Sequence, residues 1–167
     1  YLDAELSQAI PAYYGELLRY TRILKQRNAV LKDIRERLAA PDDLPPWDAQ
    51  LAKSDAYIVT RRIAVVAQLG ALSARVQAVL AAGEELALAY EIADAGAEDF
   101  SEDDMTASLH VWYNKMLCEG RARDIARAAT GVGPHLDDLV LRVGGMSLRS
   151  YGSQGHHRTG ALALKLA

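Results

Sequence analysis

At 167 residues, half of them hydrophobic and a quarter charged, the chain has the composition of a folded soluble protein with a sizeable core and not that of a disordered one. No run of 18 apolar residues occurs, and the opening YLDAELSQ lacks the basic start and apolar centre of a signal peptide, so a cytoplasmic protein without a membrane span is expected. A net charge of −3 and a single cysteine exclude a uniformly polyanion-seeking surface and an internal disulfide, and Cys118 is expected to be a small buried residue.

Beginning at Tyr1 without a methionine and stopping inside the apolar run that ends in Ala167, the chain is expected to continue on both sides. From Ile10 onward, Tyr13, Leu17, Tyr20, Leu24, Leu31, Ile34 and Leu38 step by three and four, with Arg27 interrupting the seam. This predicts a helix over 11–40, with Pro11 in the first turn where its missing N–H costs nothing. The same stretch is cationic: Arg19, Arg22, Lys25, Arg27, Lys32, Arg35 and Arg37 face only Asp33 and Glu36. PDDLPP at 41–46 must break the helix. A second helix over 47–82 follows, its seam formed by Leu51, Ile58, Val65, Leu69, Leu72, Val76 and Val79.

Two such helices, each roughly 45–55 Å long, would form an antiparallel hairpin. Folding about position 43 or 44 would set residue 27 opposite residue 60, predicting a polar layer in which Arg27 and Asn28 lie level with Thr60 and Arg61. The arginines would either extend their heads into water or await a phosphate or an acidic partner.

Nine carboxylates and no Lys or Arg lie between Glu84 and Asp104, a stretch that a polyanion should avoid. Within it, the alternation around Leu86, Leu88, Tyr90 and Ile92 predicts a strand. Ser101 with Asp104 resembles a capping box opening a helix over 102–129, which Gly120 could bend. A turn at 131–134 then leads to strands at 139–143 and 146–150, reversed by Gly144-Gly145. Beyond Asp138 no acid remains.

The segment Ser150-Tyr-Gly-Ser-Gln-Gly-His-His-Arg-Thr-Gly160 is a strand end, a glycine-rich turn and a helix start. Free N–H groups at a helix start, close backbone approach at glycine and the Ser153 hydroxyl together suit phosphate oxygens. Upstream stands Gly133-Pro134-His135-Leu136-Asp137-Asp138. Its His135, Asp137 and Asp138 could be mistaken for metal ligands, but a fixed turn with Asp137 capping local N–H groups is preferred, and no metal site is expected.

The pairing of GPH-x-DD with Ser153-Gln154-Gly155, Arg158-Thr159 and a closing ALALKLA resembles the RecF recombination and repair proteins, as do YTRILKQRNAVLK at 20–32 and Trp47-Asp-x-Gln-Leu51. The resemblance implies an SMC-like ABC ATPase that dimerises on ATP, binds junctions of double- and single-stranded DNA, and works with RecO and RecR in gap repair and stalled-fork recovery. It also implies an α+β, mostly helical fold, with a helical hairpin arm over 1–83 and a partial ATPase head over 84–167. By the same resemblance Ser153, Gln154, Gly155, His156 and Arg158 would form the signature that meets the γ-phosphate of ATP held by the opposite subunit, with Gly133, Pro134, His135, Asp137 and Asp138 as a structural motif near it. His156 stands where the family usually has Gln, and Leu136 where it usually has Arg. Both departures bear on polar contacts at the site, and a protonated His156 would favour phosphate at lower pH.

The family's phosphate-cradling loop and its metal-binding acidic segment should lie outside these residues, and no G-x-x-x-x-G-K-[ST] occurs among them. ATP and Mg²⁺ are thus expected in the complete protein, with neither bound nor ATP hydrolysed by this chain alone. Candidate DNA contacts are Arg19, Arg22, Lys25, Arg27, Lys32, Arg61 and Arg62. The competing expectation is a coiled-coil module that binds a protein partner without nucleotide.

Overall fold

A computed structural model describes residues 2–80, 86–96, 100–101, 103–147 and 149. Helix α1 spans Leu2–Ala9, α2 spans Pro11–Arg35 and α3 spans Pro45–Leu80, with a 3-10 turn at Pro41–Asp43 between the last two. Strand β1 covers Leu86–Glu91, α4 Met105–Arg127, β2 Asp138–Val143 and β3 Met146–Ser147. The fold is α+β and mostly helical, as the sequence implies.

Pro11 occupies the first turn of α2, and Ile10, extended, precedes it. The helix stops at Arg35, earlier than the seam suggests, because Arg37 turns left-handed at φ 63°. Leu38 N–H then reaches back to Asp33 O and Arg37 N–H to Ile34 O, at 2.8 and 3.0 Å, which satisfies carbonyls that the helix end leaves open. Leu38 is consequently 75% exposed instead of lying in the seam. The Asp43 carboxylate accepts from Ala40 N–H at 3.0 Å and steadies the turn into α3. Helix α4 ends like α2, with Ala128 left-handed at φ 52° and Ala129 N–H bonded to Asp124 O.

The chain divides into two units that interleave along the sequence: residues 1–61 with 92–136, and residues 62–91 with 137–167. The sequence expectation divides it once, near residue 83. In the first unit α1 lays Leu2 and Leu6 against α2, and Tyr13 Oη donates to Asp3. Leu31, Ile34 and Leu44 form a core cluster with Val30, Ala39 and Ile125. Helix α2 presents Tyr13, Tyr20, Ile23, Arg27, Leu31 and Ile34 to the interior, so the expected seam is real and its one cation lies inside it.

The hairpin register differs from the expected one. Arg27 pairs with Asp48, and Glu16 accepts from Ser54 Oγ, so the chain folds back near residues 35–38, where α2 has already ended. Thr60 is twelve residues beyond Asp48, about 18 Å or more than three turns up α3. The polar layer of Arg27 and Asn28 with Thr60 and Arg61 therefore does not exist. Thr60 bonds Thr106 of α4, and Arg61 stacks over Tyr57 with its guanidinium 5.4 Å from the ring centre.

In the second unit β1, β2 and β3 form an antiparallel sheet in that order, with Leu86 opposite Val143 and Tyr90 opposite Leu139. Leu86 and Val143 form its core with Leu141. The β2–β3 reversal uses Gly144 and Gly145 at φ 56° and 79°, the doubly positive pair that a two-residue hairpin turn needs and that glycine adopts without strain. Along this part of α3 the buried positions are Arg62, Val66 and Ser73, while Leu72 is 42% exposed. The apolar seam expected through Val65, Leu69 and Leu72 is therefore shifted by about one residue.

Three further expectations are corrected in α4. Its N-cap is Asp104, whose carboxylate accepts from Ala107 N–H, and not a Ser101 box. Gly120 leaves the helix unbroken, and Cys118 is exposed on its outer side instead of buried.

Candidate functional site

The first unit holds a charged centre built from four segments. Arg27 of α2 has no exposed surface. Its Nε donates to Asp48 Oδ1 at 2.7 Å, and its Nη1 donates to both Asp124 Oδ2 and Thr130 Oγ1 at 2.8 Å. Asp48, in the first turn of α3, also accepts from Arg121 of α4 at 2.7 and 2.8 Å. Asp124 Oδ1 accepts from Gly131 N–H at 3.0 Å. Two carboxylates are thus matched by two guanidiniums, the condition under which buried charge is tolerated.

Thr130 connects this centre to the Gly133-Pro134-His135 turn. Its N–H and its hydroxyl both donate to Asn28 Oδ1, at 2.9 and 2.7 Å. Its carbonyl lies 3.3 Å from His135 Nε2, and Tyr20 Oη lies 2.6 Å from His135 Nδ1. A carbonyl only accepts, so Nε2 carries the hydrogen, and in the neutral ring Nδ1 accepts from the Tyr20 hydroxyl. Gly133 and Pro134 are buried. Gly133 sits at φ 134°, and a Cβ there would lie 3.2 Å from the His135 ring and 3.3 Å from Tyr20 Oη, so the turn needs glycine on both counts. Every polar group named here is engaged by its own chain, which makes the turn a rigid support.

The second unit has a smaller polar chain. Arg62 of α3 donates to Tyr90 Oη at 2.9 Å, and Tyr90 Oη donates to Asp137 Oδ2 at 2.6 Å. Burial pushes the Tyr90 phenol well above its usual range, with Arg62 opposing and the Asp137 carboxylate reinforcing the shift. Asp137 thus binds a side chain from β1. Asp138 accepts from Leu139 N–H at 2.9 Å and pairs with exposed Arg149.

Among the candidate DNA contacts, Arg19, Arg22, Lys25, Lys32 and Arg61 are exposed. Arg19 and Lys32 lie 3.9 Å from Glu16 and Glu36, at loose helical spacings. Arg27 is withdrawn as a contact, because a side chain with no exposed surface and two carboxylate partners cannot meet a phosphate. Arg62, only 8% exposed and bonded to Tyr90, is withdrawn for the same reason. The signature positions Ser153, Gln154, Gly155, His156 and Arg158 lie outside the described residues.

Asp48, Arg121, Asp124 and Tyr90 escape sequence reasoning as site residues. One available signal was that Asp124 is the lone acid among Arg121, Arg123 and Arg127, a local excess of cation that asks for a buried partner.

No family model matches the chain. Over its whole length it is 42% identical to the DNA replication and repair protein RecF of Heliobacterium modesticaldum and 41% identical to that of Synechococcus sp., spanning 44% of each. A solved structure described as the recombination mediator protein RecF-ATP in the RecFOR pathway matches 99% of the chain with a TM-score of 0.87 at 31% identity, again over 43% of that protein. A second, described as RecF-ATPrS, matches equally well. The chain thus spans less than half the length of the relatives it matches.

Proposed function

Since the chain is a RecF-family sequence covering less than half of such a protein, we propose that it is the helical and signature-bearing portion of an ATP-dependent DNA-binding repair protein whose two copies close around nucleotide. The observation that carries this is the match over 99% of this chain, in sequence and in fold, to part of a protein whose structure is described as RecF-ATP. In this proposal the division of labour follows the expected one, with the helical hairpin as an arm and residues from about 84 onward as part of the ATPase head.

Ser153 and Gly155 would present a hydroxyl and backbone N–H groups to the terminal phosphate of ATP on the other subunit, with Gln154, His156 and Arg158 flanking them. Nucleotide held between two subunits stabilises the closed pair only by its preference for that state, so ATP acts as a clamp that its loss releases. The phosphate-cradling and Mg²⁺-binding residues would come from parts of the protein outside this chain. The charged centre at Arg27 and the Gly133-Pro134-His135 turn act as the internal scaffold of the unit formed by residues 1–61 and 92–136.

DNA would meet the exposed cations Arg19, Arg22, Lys25, Lys32 and Arg61. RecR- and RecO-type proteins are the partners suggested by the RecFOR pathway named for the solved relative. The test uses the complete protein. ATP should convert monomer to dimer in light scattering coupled to gel filtration, and Ser153→Arg should abolish the dimer while leaving nucleotide binding by the monomer intact. A Ser153→Arg protein that still dimerises with ATP refutes the proposal.

A further inference from the structure

Helix α2 has an exposed face with a composition that phosphate binding alone does not require. At 100° per residue, Tyr14, Leu18, Arg22, Lys25 and Lys32 fall within an arc of about 80° and along about 27 Å of helix. All five are exposed, Tyr14 and Leu18 each at 51%. Among the described residues no ion pair involves Arg22 or Lys25, and the acids of the α2 segment that fall beside this arc, Asp33 and Glu36, stand at its C-terminal end. The face therefore combines unpaired cations with an open aromatic ring and an aliphatic side chain.

We propose that this face of α2 seats single-stranded nucleic acid, with Tyr14 as the surface on which a base stacks, Leu18 packing beside it, and Arg22, Lys25 and Lys32 following the phosphates. This rests on the reading that the chain belongs to a DNA-binding protein, and it assigns the single-stranded part of the substrate to α2. The charge complementarity is with a polyanion, since Arg22 and Lys25, unpaired and one turn apart without an intervening acid, repel one another unless phosphates lie between them, while Lys32 meets Glu36 only at 3.9 Å. The apolar pair distinguishes the strand type. A duplex turns its phosphates outward and keeps the faces of its bases stacked inside, so Tyr14 and Leu18 would gain nothing from it. A single strand offers every base as a plane, and stacking on an aromatic ring is tolerant of sequence.

The experiment measures fluorescence anisotropy of a short labelled oligothymidine and of a blunt duplex of equal length, each bound to the complete protein over a series of salt concentrations. Tyr14→Ala should weaken oligothymidine binding by about five-fold or more while leaving the duplex within about two-fold, and Tyr14→Phe should retain the parent affinity for both. Arg22→Glu with Lys25→Glu should flatten the salt dependence of oligothymidine binding. If that charge reversal flattens the slope but Tyr14→Ala leaves oligothymidine binding intact, the face holds phosphates only and the inference is overturned while DNA binding by α2 stands. If charge reversal changes neither slope, DNA binding by α2 falls as well. Equal weakening of both probes by Tyr14→Ala, or full loss in Tyr14→Phe, also overturns the stacking role.

Discussion

Replacing Arg27 by methionine tests the charged centre most directly, because methionine keeps the length of the buried stem and removes only the guanidinium. Three bonds vanish, to Asp48, Asp124 and Thr130. The consequences are unequal. Asp48 keeps Arg121 at 2.7 Å, and Thr130 keeps Asn28. Asp124, 1% exposed, keeps only the Gly131 N–H and an Arg123 guanidinium 4.0 Å away. The variant thus strands about one buried carboxylate, and removing one partner of a buried pair costs about 3–5 kcal/mol. Arg27 Nη2 is itself buried without a hydrogen-bond partner, a burden that methionine relieves, so the cost should lie near the lower end, about 3 kcal/mol. With a stability of about 5–15 kcal/mol for an ordinary domain, that is a large share.

Urea unfolding followed by circular dichroism should show the midpoint falling by about 1 M or more. Adding Asp124→Asn to Arg27→Met removes the stranded charge, so the double variant should be more stable than the sum of the single losses allows, by about 1–3 kcal/mol. An Arg27→Met loss below about 1 kcal/mol, or strictly additive costs, would refute the account of a coupled, charge-matched centre.

Three other outcomes follow from local geometry. Gly133→Ala forces a side chain at φ 134° into the Tyr20–His135 contact and should cost about 1–3 kcal/mol, read by urea unfolding together with a shift of the His135 imidazole resonances; an unchanged midpoint would contradict the crowding. Ala128→Gly relieves a left-handed residue at φ 52° and should stabilise by about 0.5–1 kcal/mol, visible as a higher melting temperature; a lower one would show that the alanine methyl is needed. Tyr90, whose folded-state phenol pKa is raised by burial, contributes stability that is complete below the ordinary tyrosine pKa of about 10 and is lost as pH rises past it. Alkaline difference spectra of the protein and of Tyr90→Phe should therefore show Tyr90 ionising only with unfolding, and ionisation together with the exposed tyrosines would refute its burial.

The helices and the hairpin were legible because their signals are local. Prolines at 11, 41, 45 and 46 bound α2 and α3, and Gly144-Gly145 marks a two-residue reversal that few other pairs could make. Helix α1 passed unread, since eight residues with two buried leucines carry too short a period to stand out. The register failed for a definite reason. The fold-back point was placed at the prolines, whereas α2 ends six residues before Pro41 in a left-handed cap at Arg37, a residue with no sequence mark of that conformation. Once the pivot moves, Arg27 descends from the middle of α3 to its first turn.

That displacement also explains why local sequence leaves Arg27 open between water, a phosphate and an acidic partner, of which the structure supplies the last. Within α2 the acids near Arg27 are too few to balance it, so local sequence presents a cation waiting for an anion. Its partners come from 21 and 97 residues away, a separation at which no periodicity or spacing rule acts. What sequence did hold was the position itself: a charged residue on the same stripe as Tyr13, Tyr20, Leu31 and Ile34. Burying it unpaired would cost far more than the helix could supply, so an arginine inside an apolar seam requires carboxylates at its own depth on neighbouring helices. Asp48 and Asp124 lie at the start of α3 and in the last turn of α4, helix ends that meet at Arg27 only through the tertiary fold. The exposed cations Arg22 and Lys25 lie off that stripe and carry no such requirement, which is why the same cationic block divides into one structural residue and a surface free to bind.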